Sequence, residues 1–145
     1  MHEEKFTTVR FPEDEDIVYV LRFKRPGDAD MIPFYVGQSG RGTRRIGDYV
    51  SAQFAAATDF KVGIAIRALR GAECEVFVSH QASGNRRQDE RQLIERYVKQ
   101  GHRLLNAEPS YNYKSAEKSV EQSRIEQFVA SLLQSNSRVP SPGDA

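Results

Sequence analysis

Two short apolar segments separated by a loop constrain the fold of this chain more than any other feature. Residues 17–23 and 34–38 are rich in β-branched and aromatic side chains, which favours β-strands. The loop between them, residues 24–33, contains Pro26-Gly27-Asp28, a combination typical of turns. Two neighbouring strands joined by such a loop predict an antiparallel hairpin.

Helical patterns after the hairpin determine the predicted fold class. Apolar residues recur at helical spacing from about residue 43 to 54, from 59 to 70, from about 86 to 100 and from 116 to 133. Between the second and third of these, residues 73–79 alternate as a strand does, with Cys74, Val76 and Val78 inward. We therefore expect an α+β domain, in which helices flank a small three-stranded antiparallel sheet in the order β-β-α-α-β-α, followed by a C-terminal helix.

Length and composition predict one domain with uneven ends. The chain has 145 residues, of which 39% are hydrophobic, enough for one modest core. We expect an acidic, poorly ordered lead-in at 1–13, a domain at 14–110, a helical extension at 111–134 and a disordered tail at 135–145.

Cysteine content and apolar run length limit the class of protein. The single cysteine, Cys74, excludes an internal disulfide and a cysteine zinc site. No apolar run reaches membrane-spanning length, and the N-terminus lacks the features of a signal peptide. We expect a cytoplasmic protein that does not enter a membrane.

The net charge of +1 hides local clusters of opposite sign. Residues 1–16 hold six acids and two bases, residues 41–45 hold three arginines and no acid, and residues 85–103 hold six bases and three acids. Clustered arginines can mark a phosphate site. Charge alone, however, favours an ordinary solvated face.

One carboxylate falls on an apolar helical face. Glu90 precedes Leu93, Ile94, Tyr97 and Val98 by three, four, seven and eight residues, so all five share one side of a helix. A buried carboxylate is costly unless a cation meets it. Glu90 therefore either reaches water at the edge of the core or has a partner, such as an arginine or a metal ion.

An ordered set of residues resembles the GIY-YIG nuclease family over about residues 17–106. Ile17-Val18-Tyr19 lies on the first predicted strand and Tyr35-Val36-Gly37 on the second. Arg45 follows ten residues after Tyr35, and a second tyrosine lies one helical turn beyond it. The full set is Tyr19, Tyr35, Gly37, Arg45, Tyr49, Glu90 and Asn106.

The chain departs from the family pattern at three points. Ile17 stands at the family's first glycine, a backbone position in a strand. Gln38 stands where relatives often have a lysine, which weakens any role for a lysine near the attacking water. The spacing from Glu90 to Asn106 is also longer than in the most compact relatives.

The resemblance implies a DNA endonuclease that depends on one divalent cation, Mg²⁺ or Mn²⁺. Phosphodiester hydrolysis needs an activated water and stabilised phosphoryl oxygens. Glu90, the acid on an apolar helical face, is the candidate metal ligand, and the planar fork of Arg45 matches phosphate oxygens. In a structure without metal, we expect Glu90 in a cleft near Tyr19 and Arg45.

The tyrosines and the asparagine take their roles from the same resemblance. Tyr19 would accept the proton of the water or orient it, and Tyr35 would complete the hydrogen-bond network. Tyr49 would lie close to the water, and Asn106 would hold the geometry. Plain packing explains Tyr19, Tyr35 and Tyr49 equally well, and Asn106 could simply cap a turn.

Backbone and surface positions complete the predicted site. Gly37 and Gly40 shape the exit of the second strand, and Gly40 would let a backbone approach a phosphate. The arginines expected to contact the phosphate backbone of duplex or branched DNA are Arg41, Arg44, Arg86, Arg87 and Arg91.

Two other functions stay open. A GIY-YIG fold with Ile17 and Gln38 could bind nucleic acid or protein without cutting. An unrelated α+β module could use its amphipathic C-terminal helix as a binding surface. A nuclease this small would gain specificity from its loops, a homodimer or a partner protein.

Overall fold

A four-stranded antiparallel sheet organises the part of the chain that the computed structural model describes, residues 2–6, 14–40, 57–108 and 118–134. The strands are β1 (His2–Lys5), β2 (Ile17–Lys24), β3 (Ile32–Ser39) and β4 (Glu75–Ala82). Their order is β1-β4-β2-β3, so β2 is central and β3 lies at an edge of the described sheet. The predicted α+β class is confirmed.

The prediction of three strands was wrong, because β1 lies within the expected lead-in. It pairs with β4 from His2 opposite His80 to Lys5 opposite Phe77. Phe6, next in the chain, is 2% exposed, and its N–H donates to the Val76 carbonyl at 2.9 Å. Charged residues are common on edge strands, where they suppress the alternating pattern that identifies a strand.

The predicted hairpin is confirmed. β2 and β3 pair antiparallel, with Tyr19 opposite Gly37 and Val20 opposite Val36. The register shifts between Leu21 and Arg22, where the pairing is irregular. Both strands extend beyond their predicted bounds, because backbone pairing continues to Lys24 in β2 and from Ile32 to Ser39 in β3.

Three helices accompany the sheet in the described ranges. They are α1 (Ala57–Gly71), α2 (Arg86–Lys99) and α3 (Lys118–Gln134), with a 3₁₀ turn at Leu105–Ala107 between the last two. All three were predicted to within two residues of their bounds. The helix predicted from residue 43 to 54 lies outside the described residues.

The helices cover the two faces of the sheet separately. On one face, α1 and α3 enclose the larger core cluster, which includes Tyr19, Leu21 and Tyr35. On the other, Leu93 of α2 packs with Val18 and its neighbours on alternate positions. Side chains next to each other on one strand therefore face different helices.

The predicted C-terminal extension belongs to the main core. Ile125, Phe128, Val129 and Leu132 of α3 are buried in the same cluster as the α1 side chains. The apolar face of α3 is thus covered rather than available to a partner. No helix in the described ranges is long and apolar enough to cross a membrane.

Candidate functional site

Four polar side chains meet where β3 ends and α2 begins, and we call them the Glu90 cluster: Asp16, Gln38, Arg86 and Glu90. Arg86 donates through Nη1 to Gln38 Oε1 at 3.2 Å, and its Nε lies 3.8 Å from Asp16 Oδ2. The Glu90 carboxylate accepts a hydrogen bond from the Gln38 side chain. An amide that accepts from arginine through its oxygen can donate to the carboxylate only through its nitrogen, so the orientation of Gln38 is fixed.

Local sequence brings these groups together. Asn85 caps α2 by accepting a hydrogen bond from the Gln88 N–H at 3.2 Å, which fixes where the helix begins. Arg86 and Glu90 are four residues apart and therefore share one flank of α2. Gln38 lies two residues after Val36, on the sheet face that α2 covers.

The ionisation of Glu90 is perturbed by its surroundings. Burial raises the pKa of its carboxyl above the ordinary value, and the Gln38 hydrogen bond and the Arg86 charge offset only part of this shift. The Arg86 charge thus acts on Glu90 without a direct ion pair among the described residues, and the Gln38 amide contacts both groups.

We expect this shift to appear in the stability of the metal-free protein. A carboxyl whose pKa is raised on folding favours the folded state below its unfolded pKa, near 4.5, and loses that contribution as pH rises through the folded pKa. Glu90→Gln should therefore gain stability relative to wild type as pH increases through this range, measured by urea denaturation at several pH values. Glu126→Gln, at an exposed site on α3, is the control, and a pH-independent difference for Glu90→Gln would contradict the assignment.

The glycine at the end of β3 is in close contact with the cluster. A Cβ on Gly40 would lie 3.3 Å from Arg86 Cζ, tighter than most real contacts. The guanidinium of Arg86 thus rests against the backbone of residue 40. The group that approaches Gly40 is thus a side chain of the protein, and the predicted approach of a phosphate to this backbone stays a prediction.

The two predicted strand tyrosines lie on the other face of the sheet. Tyr19 is 1% exposed and Tyr35 is 7% exposed, and their ring centroids are 6.3 Å apart. A Cβ on Gly37 would lie closer than 3.0 Å to the ring carbons and hydroxyl oxygen of Tyr19. The hydroxyl end of the Tyr19 ring therefore packs directly on the backbone of Gly37.

The structure consequently divides the predicted site. Tyr19, Tyr35 and Gly37 form one group beneath α1 and α3, whereas Glu90 faces Gln38 beneath α2. The expected single cleft with Glu90 beside Tyr19 is not formed by contacts among the described residues. The remaining predicted residues, Arg41, Arg44, Arg45 and Tyr49, lie outside the described ranges.

Asn106 connects the 3₁₀ turn to β3. Its Oδ1 accepts from the Val36 N–H at 2.9 Å, and its Nδ2 donates to the Val36 carbonyl at 2.8 Å. Both hydrogen bonds are made to one residue of the strand that also carries Tyr35, Gly37 and Gln38. Asn106 thus fixes the position of the strand shared by the two groups.

Removing this amide should destabilise the fold. Asn106→Ala leaves both polar backbone groups of Val36 without their partner, which we expect to cost about 2–3 kcal/mol in urea denaturation. Asn85→Ala, which removes one exposed helix cap, is the matched control and should cost about 1 kcal/mol. Equal losses in the two variants would show that the paired hydrogen bonds contribute little.

Two further arginines of α2 that were predicted to contact DNA are solvent-exposed. Arg87 and Arg91 both project into solvent, in contrast to the half-buried Arg86. Sequence reasoning assigned the three arginines the same role and gave no role to Asp16. The spacing of Arg86 and Glu90 was the available signal, but the contribution of Asp16 depends on tertiary structure.

A second concave surface lies on the opposite flank of α2. Arg22 donates through Nη2 to the Tyr97 hydroxyl at 2.7 Å and through Nη1 to Ser79. The groove beside it has a volume of about 450 Å³ and shares no lining residue with the Glu90 cluster. Its lining consists of Arg22, Gln81, Asp89, Gln92, Leu93, Arg96 and Tyr97.

Comparison with known proteins gives no indication of the function of this chain. The chain matches no protein-family model, no curated protein and no solved structure. Within the described ranges, no three His, Cys, Asp or Glu side chains lie close enough to hold a metal ion together.

Proposed function

We propose that this chain is a metal-dependent endonuclease that hydrolyses DNA phosphodiester bonds by in-line attack of water. The observation that carries the proposal is the half-buried Glu90 carboxylate, held by Gln38 beside the Arg86 guanidinium. A carboxylate and a guanidinium that lie close together without an ion pair between them can bind a ligand that contains both a cation and a phosphate. A nuclease substrate with its metal ion is such a ligand.

The donor chemistry of Glu90 suits Mg²⁺ or Mn²⁺. Mg²⁺ commonly takes one or two protein carboxylates and completes its shell with water and substrate phosphate. When bound, such an ion would supply positive charge that stabilises the phosphoryl oxygens. Glu90 would hold the ion, and Gln38 would keep the carboxylate oriented toward it.

The edge position of β3 supports the use of groups from both sheet faces. Gly37 and Gln38 are consecutive, so the Tyr19 ring and the Glu90 carboxylate approach neighbouring residues of one strand from opposite sides. A phosphate at the end of an edge strand can meet groups from either side. In the proposal, Tyr19 and Tyr35 orient the attacking water and Asn106 keeps β3 in position.

Residues of the segment after β3 complete the proposal. Arg45 would bind phosphate oxygens through its planar guanidinium, and Tyr49 would lie near the water. Arg41 and Arg44 would contact flanking phosphates. In the sequence, Arg41 directly follows Gly40, whose backbone lies beside the Arg86 guanidinium.

The direct test is a cutting assay with purified wild-type protein. Supercoiled plasmid, branched DNA and single-stranded DNA are incubated with Mg²⁺ or Mn²⁺, and with EDTA as the control. We expect metal-dependent nicking or double-strand cleavage of at least one substrate. Absence of cleavage on all three substrates with both metals would end the nuclease proposal.

The second candidate is a protein that binds nucleic acid without cutting it. Gln38 in place of a lysine and the near-complete burial of Tyr19 favour this alternative. Salt-dependent DNA binding without metal-dependent cleavage would support it. The third alternative loses its main argument, because the apolar face of α3 packs into the core.

A further inference from the structure

Arg86 differs from the other arginines of α2 in being held at the candidate metal site. We propose that Arg86 is a catalytic residue that binds a nonbridging oxygen of the phosphate being cleaved, whereas Arg87 and Arg91 contact flanking phosphates. The inference rests on the proposed nuclease function and assigns one further residue to its site.

Several contacts fix the guanidinium. Gln38 accepts from Nη1, and the backbone at Gly40 lies against the flat face of the group. Asp16 lies 3.8 Å from Nε, within range of an ion pair but beyond a hydrogen bond. Among the described residues, Arg86 is therefore oriented by these contacts without using all of its hydrogen-bond donors.

The remaining donors of Arg86 match a phosphate. Nη2 makes no hydrogen bond within the described residues, and the Nε–H is occupied only by the loose pairing with Asp16. Nε–H and Nη2–H point in parallel along one edge of a guanidinium and can bind two oxygens of a phosphate. The side chain as a whole is 37% exposed, and a ligand at this edge would take the place of the loose pairing with Asp16.

Gln38 keeps Arg86 and Glu90 available to ligands. Residues of opposite charge four apart on a helix commonly pair, and a direct pair would neutralise both groups. Here the Gln38 amide accepts from Arg86 and donates to Glu90, and no ion pair joins these two residues in the described structure. A carboxylate for a cation and a guanidinium for a phosphate are thus maintained side by side.

Charge also favours this assignment. A phosphate brought next to Glu90 is repelled by the carboxylate, and the repulsion grows as negative charge develops on the phosphoryl oxygens. A preoriented guanidinium opposes that charge without reorganisation. Arg87 and Arg91 are exposed and cannot provide a fixed donor of this kind.

The test separates cutting from binding. Single-turnover cleavage at saturating DNA gives the rate of the chemical step, and metal-free titration at several salt concentrations gives the Kd and its salt slope. We expect Arg86→Gln to lower the rate about 100-fold or more, a loss much larger than any increase in its Kd, because the guanidinium opposes charge that develops during the reaction. Arg86→Lys should recover only part of the rate, because an ammonium lacks the planar fork.

Two further variants give the contrast. Arg87→Gln should raise the Kd and reduce the salt slope by about one, the signature of a lost phosphate contact. Arg67→Gln, on the exposed side of α1, removes the same charge away from the site and should leave both measurements unchanged. Thermal unfolding of each variant verifies the fold.

Each possible result either supports or overturns the catalytic role of Arg86. An Arg86→Gln rate at saturating DNA within about threefold of wild type overturns the role of Arg86 while the nuclease proposal stands. If Arg86→Gln fails to fold, a folded Arg86→Lys with the wild-type rate overturns it as well. A wild-type protein that cuts no DNA removes the nuclease proposal and this inference together.

Discussion

Glu90→Ala is expected to reduce DNA cleavage about 1,000-fold, equivalent to roughly 4 kcal/mol of lost transition-state stabilisation. In the proposed site, Glu90 supplies the carboxylate that would hold the cation, so its removal should weaken both metal binding and catalysis. The folded state should be retained, because the substitution removes a carboxyl whose burial raises its pKa. The measurement is single-turnover nicking of plasmid with Mg²⁺ and with Mn²⁺.

Two variants make this result interpretable. Glu90→Gln keeps the shape of the side chain but removes its charge, so it should be nearly as inactive as Glu90→Ala. Glu95→Ala removes an exposed acid from the same helix and should cut like wild type. Cutting that survives Glu90→Ala would refute the site assignment while leaving the nuclease activity itself established.

Gly37→Ala is expected to destabilise the protein by about 3 kcal/mol or more. The new Cβ would lie closer than 3.0 Å to the ring and hydroxyl of Tyr19, and Tyr19 is packed too tightly to move without disturbing the core. For a chain of this size the loss corresponds to a decrease of about 10 °C in Tm. Urea denaturation and thermal unfolding measure the two quantities.

A double-mutant cycle identifies the cause. Tyr19→Leu removes the ring end that would meet the new methyl group, so the combined variant should lose less stability than the sum of the two single losses. Gly71→Ala, at the end of α1 with no atom near its Cβ position, is the control and should change stability little. A Gly37→Ala protein as stable as Gly71→Ala would show that Tyr19 adjusts freely.

The sequence predicted those strands and helices in which apolar residues recur at a regular spacing. The alternation of Cys74, Val76 and Val78 predicted the inward face of β4, and all three side chains are buried. Helical spacing similarly predicted the core residues of α3. Val98 was also expected to face inward but is 55% exposed, because only the Leu93 side of α2 meets the sheet closely.

The rest depended on contacts between distant parts of the chain. β1 consists mainly of charged residues, and only its pairing with β4 makes it a strand. Glu90 was identified as an unusual acid from its helix alone, but its contact with Gln38 requires the packing of α2 on β3. The family resemblance placed Tyr19 and Glu90 in one site without revealing that their side chains lie on opposite faces of the sheet.

The Asn106 amide has a consequence for solubility. An edge strand exposes backbone donors and acceptors that can recruit a strand from another molecule, which leads to edge-to-edge aggregation. At Val36, the donor and acceptor are already occupied by the side chain of Asn106, in the way that a neighbouring strand would occupy them. The residue that fixes the position of β3 therefore also reduces the capacity of this edge to pair with a strand of another molecule.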